Sequence, residues 1–347
     1  MTEPVQESKI PVENIYYLLS YAWGYLPERD EVQMLAEDCH TVEELLARVL
    51  VNGTQHLVRR GLDRSYVLQR EETSRLKGQL DLTASFSRQT MQQGRLVCEF
   101  DELSHDVLHN QILKTTLRKI LKLTRLSREM KAQVHQQLQV MPEVQEIRIS
   151  ARLFRRTPLH RNNKHYRLLM NVCELIHHSL LPTEQSGELR FRDFLRDKRQ
   201  MPALFEKFIL NFYKRHSDYK VSSPYLYWDL GETGADQLLV PRMETDVCLY
   251  KPERQIILDC KFYEHAFTNR FETKKLLPAH LYQLFAYLEN VPRNARWEHT
   301  EGVLLYPTVS HDFTHEISLN GHQLRLVSVN LDQPWSAIER ALIRLVN

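Results

Sequence analysis

The stretch Pro241-Arg-Met-Glu-Thr-Asp246-Val-Cys-Leu-Tyr250, Lys251-Pro-Glu-Arg254, Gln255-Ile-Ile-Leu-Asp259-Cys-Lys261-Phe-Tyr263 limits the possible folds more than any other. Two strand-like runs flank a four-residue turn, so a simple hairpin sets Tyr250 opposite Gln255 and Asp246 opposite Asp259. Period-2 alternation then collects Thr245, Val247, Leu249, Ile256, Leu258, Cys260 and Phe262 on an apolar, core-facing side. The opposite side carries Glu244, Asp246, Asp259 and Lys261. Like charges directly opposed across two strands sit roughly 5 Å apart and destabilise the pairing, so a fold that keeps them needs a compensating cation. Mg²⁺ fits, because it takes one or two carboxylates and fills its remaining positions with water and phosphate oxygens. Lys261, two residues along on the same face, is placed to hold an attacking water or to neutralise charge on a phosphoryl group. An isolated Asp-x-Lys reads equally as a solvated strand face; here the hairpin spacing and a downstream helix add to it.

That helix, Pro278 to Asn290, is expected to bury Leu281, Leu284, Phe285 and Leu288 at i, i+3, i+4, i+7 spacing. Gln283 and Tyr287 share a different stripe with His280, either as site residues or as ordinary amphipathic surface. An earlier helix, Pro202 to His216, packs through Phe205, Phe208, Ile209 and Phe212. Glu206 borders that stripe and reads either as a further metal carboxylate or as a solvated helix glutamate.

Asp246, Asp259 and Lys261 followed by Gln283-x-x-x-Tyr287 resemble the PD-(D/E)xK nuclease core in its Gln-x-x-x-Tyr branch. The likeness extends to Ile10-Pro-Val-Glu-Asn-Ile-Tyr-Tyr-Leu-Leu-Ser-Tyr-Ala-Trp-Gly-Tyr25 and Leu239-Val-Pro-Arg-Met-Glu-Thr-Asp246, which resemble the McrC family, the nuclease subunits of McrBC restriction systems. The resemblance implies a Mg²⁺-dependent endonuclease for DNA containing modified cytosine, working with a GTP-hydrolysing AAA+ ring of the McrB kind. It implies Asp246 and Asp259 as metal ligands, Lys261 as the residue that assists the nucleophilic water, Gln283 and Tyr287 as further catalytic residues, and Glu206 as a candidate added carboxylate ligand. Cys260 stands where the family favours Ala, a small-for-small exchange on the core face. Two alternatives remain: a regulatory or assembly subunit of the ring with secondary or lost cleavage, and a stand-alone repair nuclease.

With 46 Lys and Arg against 44 Asp and Glu, the chain lacks the strongly basic balance of an autonomous nucleic-acid binder. One local patch stands out. Between Glu146 and Glu174 there is no acid, while Arg148, Arg152, Arg155, Arg156, Arg161, Lys164 and Arg167 occur with Phe154, His160, His165 and Tyr166 among them. Such a stretch suits DNA phosphates and bases, or equally a solvated loop or an acidic partner surface. No GxxxxGK[ST] sequence occurs, so nucleotide hydrolysis is assigned to the partner.

At 347 residues two domains are expected: an α+β partner-docking domain over 1–180 and an α/β endonuclease domain over 181–347, with a mixed sheet flanked by helices. The sheet strands are expected near Tyr225 to Leu230, Leu239 to Tyr250, Gln255 to Tyr263 and Gly302 to Pro307. Asn14 is placed as the cap of a first helix, with further helices at Thr41 to Leu57 and Asn110 to Arg125. Lys77 to Leu82 and Arg95 to Asp101 read as strands around a polar middle, Ser85 to Gly94, that projects as an arm without apolar anchors or forms a surface loop. His105-Asp-Val-Leu-His109 imitates a zinc helix but has Asp where the general-base Glu belongs. Five scattered cysteines without CxxC, no membrane-length apolar run and no export-type N-terminus suit a soluble cytoplasmic protein.

Overall fold

The computed structural model describes residues 10–25, 39–157, 159, 163, 165–183, 188–192, 195, 197, 200–228, 239–262, 267–270, 273–291, 300–309 and 312–347. The chain forms two compact units. One is continuous, residues 43–192, and the other joins residues 1–42 to 193–347. Where sequence suggested a single boundary near 180, contacts divide the chain after Val42 and after Arg192.

The reason lies in helix α1 (Val12–Ala22), which is buried almost all round by the C-terminal half. Tyr17 stacks on Trp335 at 4.2 Å, and Tyr21 packs its ring against Phe208 and Phe212. Asn14 does not cap this helix, because Pro11 holds that position. Its buried side-chain amide donates instead to the carbonyls of Leu331 (2.8 Å) and Gln333 (2.7 Å), satisfying two backbone acceptors far along the chain.

The continuous unit contains α2 (Val42–Arg60), β1 (Ser65–Thr73), β2 (Gln79–Leu80), α3 (Leu82–Ser87), β3 (Leu96–Ser104), α4 (Leu108–Ile120), α5 (Arg128–Gln139), α6 (Ala151–Arg156), α7 (Tyr166–Ser179), β4 (Leu180–Pro182) and β5 (Leu189–Phe191). β1 and β3 pair antiparallel from Ser65↔Ser104 to Thr73↔Leu96, and β2 adds to the far edge of β3. Sequence suggested β2 and β3 but not β1, whose alternating residues are nearly all exposed or partly exposed on both faces. The polar middle folds as α3, capped by the Asp81 carboxylate accepting from Ala84 N at 2.9 Å, followed by a 3-10 turn over Thr90–Gln93. Within Ser85 to Gly94 the apolar Phe86 and Met91 are exposed, contrary to an arm without apolar anchors, and Tyr66, Leu68, Leu82 and Leu103 of the neighbouring elements are exposed beside it. The zinc-like pair is also resolved. His109 is buried with Nε2 2.9 Å from Asp63, a structural contact.

The second unit adds α8 (Gln200–His216), β6 (Lys220–Ser222), β7 (Tyr225–Leu226), β8 (Met243–Glu244), β9 (Val247–Lys251), β10 (Arg254–Cys260), β11 (Phe267–Arg270), β12 (Thr273–Leu276), α9 (Pro278–Asn290), β13 (Thr300–Thr308), β14 (Thr314–Leu319), β15 (His322–Asn330) and α10 (Trp335–Val346). Its main sheet is six-stranded and mixed, in the order β14-β15-β13-β10-β9-β6, with β10, β13 and β15 parallel. Helices flank it, giving the expected α/β class. Phe205, Phe208, Ile209 and Phe212 of α8 are fully buried, as the stripe predicted. On the α9 face, Cys248, Ile257, Leu304, Tyr306, Leu324 and Leu326 form one cluster with Leu284, Tyr287 and Leu288. β10 is therefore buried on both faces, as central strands of parallel segments are, and the side carrying Asp259 is no solvent face. Each large apolar side chain buried this way contributes roughly 1.5–3 kcal/mol.

Gly302 on β13 sets how closely α9 approaches. A Cβ there would lie 2.7 Å from Leu324, 2.9 Å from Leu288 and 3.0 Å from Leu284 side-chain carbons. Leu284 and Leu288 thus seat directly over the strand, which fixes the rotation of the helix.

Candidate active site

The hairpin has the expected register, with Tyr250 opposite Gln255. Its turn is tighter than expected, because Lys251 pairs with Arg254 and only Pro252 and Glu253 remain in the loop. The ladder ends at Val247↔Leu258. Beyond it the first strand breaks, since Thr245 Oγ1 donates to Pro224 O (2.6 Å), Ser223 Oγ donates to Thr245 O (2.5 Å), and β8 pairs with β7 rather than with β10. The run expected as one strand from Leu239 to Tyr250 is thus two, and the strand expected at Tyr225 lies outside the main sheet.

Asp246 occupies the break. No backbone pair joins it to Asp259; its Oδ2 accepts the Cys260 N–H at 2.7 Å, so a carboxylate takes the place of the next ladder bond. This aims Asp246 at the end of β10, one step past the last pair and level with Asp259. Burial raises the Asp246 pKa, against the lowering effects of the Cys260 N–H and Lys261.

Asp259 is 0 % exposed. Its Oδ2 lies 2.6 Å from Lys261 Nζ, an ion pair at close range, yet neither carboxylate oxygen accepts a hydrogen bond of acceptable angle. Burial pushes its pKa up to about 7, with Lys261 opposing the shift and the Asp246 charge adding to it. A fully buried carboxylate whose oxygens lack directional donors is costly unless something else ligates it.

Lys261 is held from both ends. Its backbone N–H donates to Leu305 O at 2.8 Å, extending the β10–β13 pairing, and its Nζ donates to Gln283 Oε1 at 2.8 Å. Gln283 Nε2 then donates to Tyr287 OH (2.6 Å), which donates to Glu244 O (2.6 Å). The relay has one direction. Because the ammonium can only donate, it fixes the amide orientation of Gln283, and that in turn fixes the Tyr287 hydroxyl. It ties β10 to α9 and α9 to β8.

The buried stripe of α9 is rotated from the expected one. His280, Leu284, Tyr287 and Leu288 are buried, whereas Leu281 and Phe285 are partly exposed. With Leu284 and Leu288 seated on Gly302, Tyr287 turns inward and is 3 % exposed, so it is no amphipathic surface residue. His280 Nδ1 meets Tyr306 OH at 2.9 Å, and burial, with Lys261 nearby, takes its pKa down to about 4.

Glu206 and Asp246 line one open cavity of about 260 Å³ with Lys207, Leu210, Ser223, Tyr225, Glu244 and Thr245. The Glu206 pKa is pushed up to about 7 by burial first and by the Asp246 charge second. Glu206 thus shares a cavity with Asp246, and the charges of both aspartates act on it. Of the basic stretch, Arg152, Arg155, Arg156 and Arg167 are exposed on the continuous unit, and Arg161 and Lys164 lie outside the described residues. The Glu244 carbonyl, Ser223 and Tyr225 were not singled out by sequence; a backbone acceptor leaves no trace in residue type.

The family model for "McrBC 5-methylcytosine restriction system component" matches residues 6–307. This chain belongs to the McrBC restriction-component family. It is 32% identical over 346 residues to the type IV methyl-directed restriction enzyme EcoKMcrBC of Escherichia coli K12, covering 99% of this chain and 98% of that protein. Among solved structures it is similar to a half-complex of Thermococcus gammatolerans McrB AAA+ hexamers with bound McrC. That match has a TM-score of 0.56 at 18% identity, over 99% of this chain and 77% of the other, and it supports the fold. The five cysteines are buried and none is in a disulfide, and among the described residues no helix is long and apolar enough to cross a membrane.

Proposed function

We propose that this chain is the Mg²⁺-dependent endonuclease subunit of an McrBC-type restriction system, with a PD-(D/E)xK site that cleaves DNA containing modified cytosine. The observation carrying the reading is the Asp259 carboxylate, fully buried, ion-paired to Lys261 and without a hydrogen-bond donor of acceptable angle, beside Asp246. Those residues fit a hard divalent cation, since one or two carboxylates suffice and a bound ion would supply the partner that Asp259 Oδ1 lacks. Asp246 and Asp259 would hold Mg²⁺, with Glu206 as a candidate further carboxylate. When bound, the ion supplies Lewis acidity at the phosphoryl oxygens and a lowered pKa for coordinated water.

The chain's own groups do the rest. Lys261, aimed by Gln283 and Tyr287, orients the attacking water and offsets charge on the phosphoryl oxygens as water adds to phosphorus and one P–O ester bond breaks. The cavity beside Asp246 is the place the phosphodiester would take. Nucleotide hydrolysis belongs to a partner, a GTP-hydrolysing AAA+ ring of the kind named in the archaeal McrB complex with bound McrC. We assign partner docking to residues 43–192, where the β1–β3 arm presents Tyr66, Leu68, Phe86 and Leu103 to solvent. Arg152, Arg155, Arg156, Arg161, Lys164 and Arg167 are assigned to DNA phosphates.

The test combines both activities. With partner, GTP, Mg²⁺ and modified DNA, the wild type should cut and Asp259→Ala should not, and Mg²⁺ should raise the melting temperature of the wild type alone. Asp246→Ala should abolish cutting yet leave stimulation of partner GTP hydrolysis intact. Full cutting by Asp259→Ala would remove this site from the reaction. Cutting of unmodified DNA without any partner would favour the stand-alone nuclease instead.

A further inference from the structure

Beside the aspartate pair, β7 and the two residues after it leave three aromatic rings in solvent. Tyr225 lines the cavity with Asp246 and Glu206 and is half exposed; Tyr227 is 68 % exposed, and Trp228 is 42 % exposed. The residue between the first two, Leu226, is buried at 6 %, so the ribbon is anchored by its inward side chain while its alternate rings face outward. Trp228 is also pinned, with Nε1 donating to Pro241 O at 2.9 Å. Arg242 of the adjoining segment lays its guanidinium over the Tyr225 ring, 3.6 Å from the centroid, and reaches within 3.7 Å of Glu244. Lys207 adds a second positive charge at the cavity wall.

Held rings with a stacked guanidinium, continuous with a phosphodiester-sized cavity, match one chemistry: flat apolar faces alternating with anionic groups. A nucleic-acid strand supplies both, its bases stacking on aromatics and its phosphates pairing with Arg and Lys. An intact duplex hides its base faces in the stack, so these rings are of use only to a strand that is open at that point. We propose that Tyr225, Tyr227 and Trp228, with Arg242 as their cationic partner, form a stacking platform that holds unpaired nucleotides of the DNA strand next to the phosphate being cut. The inference rests on the nuclease reading and adds to it a substrate state, locally unpaired DNA. The rings act as positioning residues and take no part in bond making.

The test uses the full chain with its AAA+ partner. Binding is measured with a labelled single-stranded oligodeoxynucleotide and with the same sequence as a duplex, on a D259A background so that nothing is cut. Cleavage is measured on the catalytically intact background. The chain should hold the single strand more tightly than the duplex, and Tyr227→Ala and Trp228→Ala should each weaken that binding roughly tenfold. Tyr227→Phe, which keeps the ring, should restore it. In cleavage the alanine variants should raise KM more than they lower kcat, and melting temperature should not move for the exposed Tyr227. Unchanged single-strand affinity and unchanged KM in the alanine variants would overturn the platform, as would loss of partner binding in place of DNA binding. Failure of the wild type to cut, with ring-dependent single-strand binding intact, would sink the nuclease reading and leave the platform standing.

Discussion

The Lys261–Gln283–Tyr287–Glu244 relay makes a quantitative prediction, because its middle bond is shared by two side chains. Gln283→Leu removes the bond from Lys261 Nζ and the bond to Tyr287; Tyr287→Phe removes the bond from Gln283 and the bond to the Glu244 carbonyl. A neutral hydrogen bond contributes about 1 kcal/mol net, and one from a charged donor about 2 kcal/mol. The singles should therefore cost about 3 and about 2 kcal/mol as upper figures, the first reduced because Gln283 is exposed and water can replace it. Adding the singles counts the Gln283–Tyr287 bond twice, so the double variant should be less destabilised than their sum by about 1 kcal/mol. Denaturant melts of the four proteins give that coupling. For cleavage the argument is stricter: each single change should release Lys261 from its orientation and lower kcat on the order of 10- to 100-fold, as supporting residues of a metal site do. The double variant should be no slower than the slower single. If the two rate losses multiply, Gln283 and Tyr287 act independently and the one-way relay is the wrong description.

Other perturbations follow from single contacts. The His280 pKa is lowered from 6.5 to about 4, so between those values the unfolded chain binds a proton that the folded chain refuses. Its contribution is therefore complete above pH 6.5 and falls by about 3 kcal/mol as pH drops to 4, and His280→Leu should flatten that part of a stability-versus-pH curve; parallel curves would refute it. Gly302→Val should lose about 1–3 kcal/mol by driving Leu284 and Leu288 off the strand, and it should slow cleavage through displaced Gln283 and Tyr287, measured together by melting and by kcat. Arg254 forks onto Glu301 at 2.7 and 3.0 Å and also donates to Val346 O at 2.8 Å, so Arg254→Met should lower the melting temperature while leaving KM for DNA unchanged.

What could be read from residues alone, and what could not, divides along the range of the interaction. The β9–β10 hairpin was legible because its partners are a few residues apart and because two carboxylates interrupt an apolar alternation, an expense that only a site explains. Helix α9 was legible as a helix, but its rotation was not. That depends on the notch at Gly302, and a glycine gives no sign of which leucines will fill the space above it. The allegiance of α1 to the C-terminal half was equally hidden, since its aromatic face meets Phe208 and Trp335 some two hundred and more positions away and no local pattern names such partners. β1 and β14 escaped notice because their side chains are largely exposed, so neither has an apolar stripe to betray it. The same logic explains the site. Side chains with charge, Asp246, Asp259 and Lys261, announce themselves in sequence, whereas the group that closes the relay is the Glu244 carbonyl, an acceptor that any residue would supply. The break at Thr245 that brings this carbonyl within reach of Tyr287 is also the break that turns Asp246 toward Cys260 N. One interruption of a strand therefore sets both the Asp246 carboxylate beside Asp259 and the anchor of the lysine relay, and a change that mended it into continuous strand would displace both together.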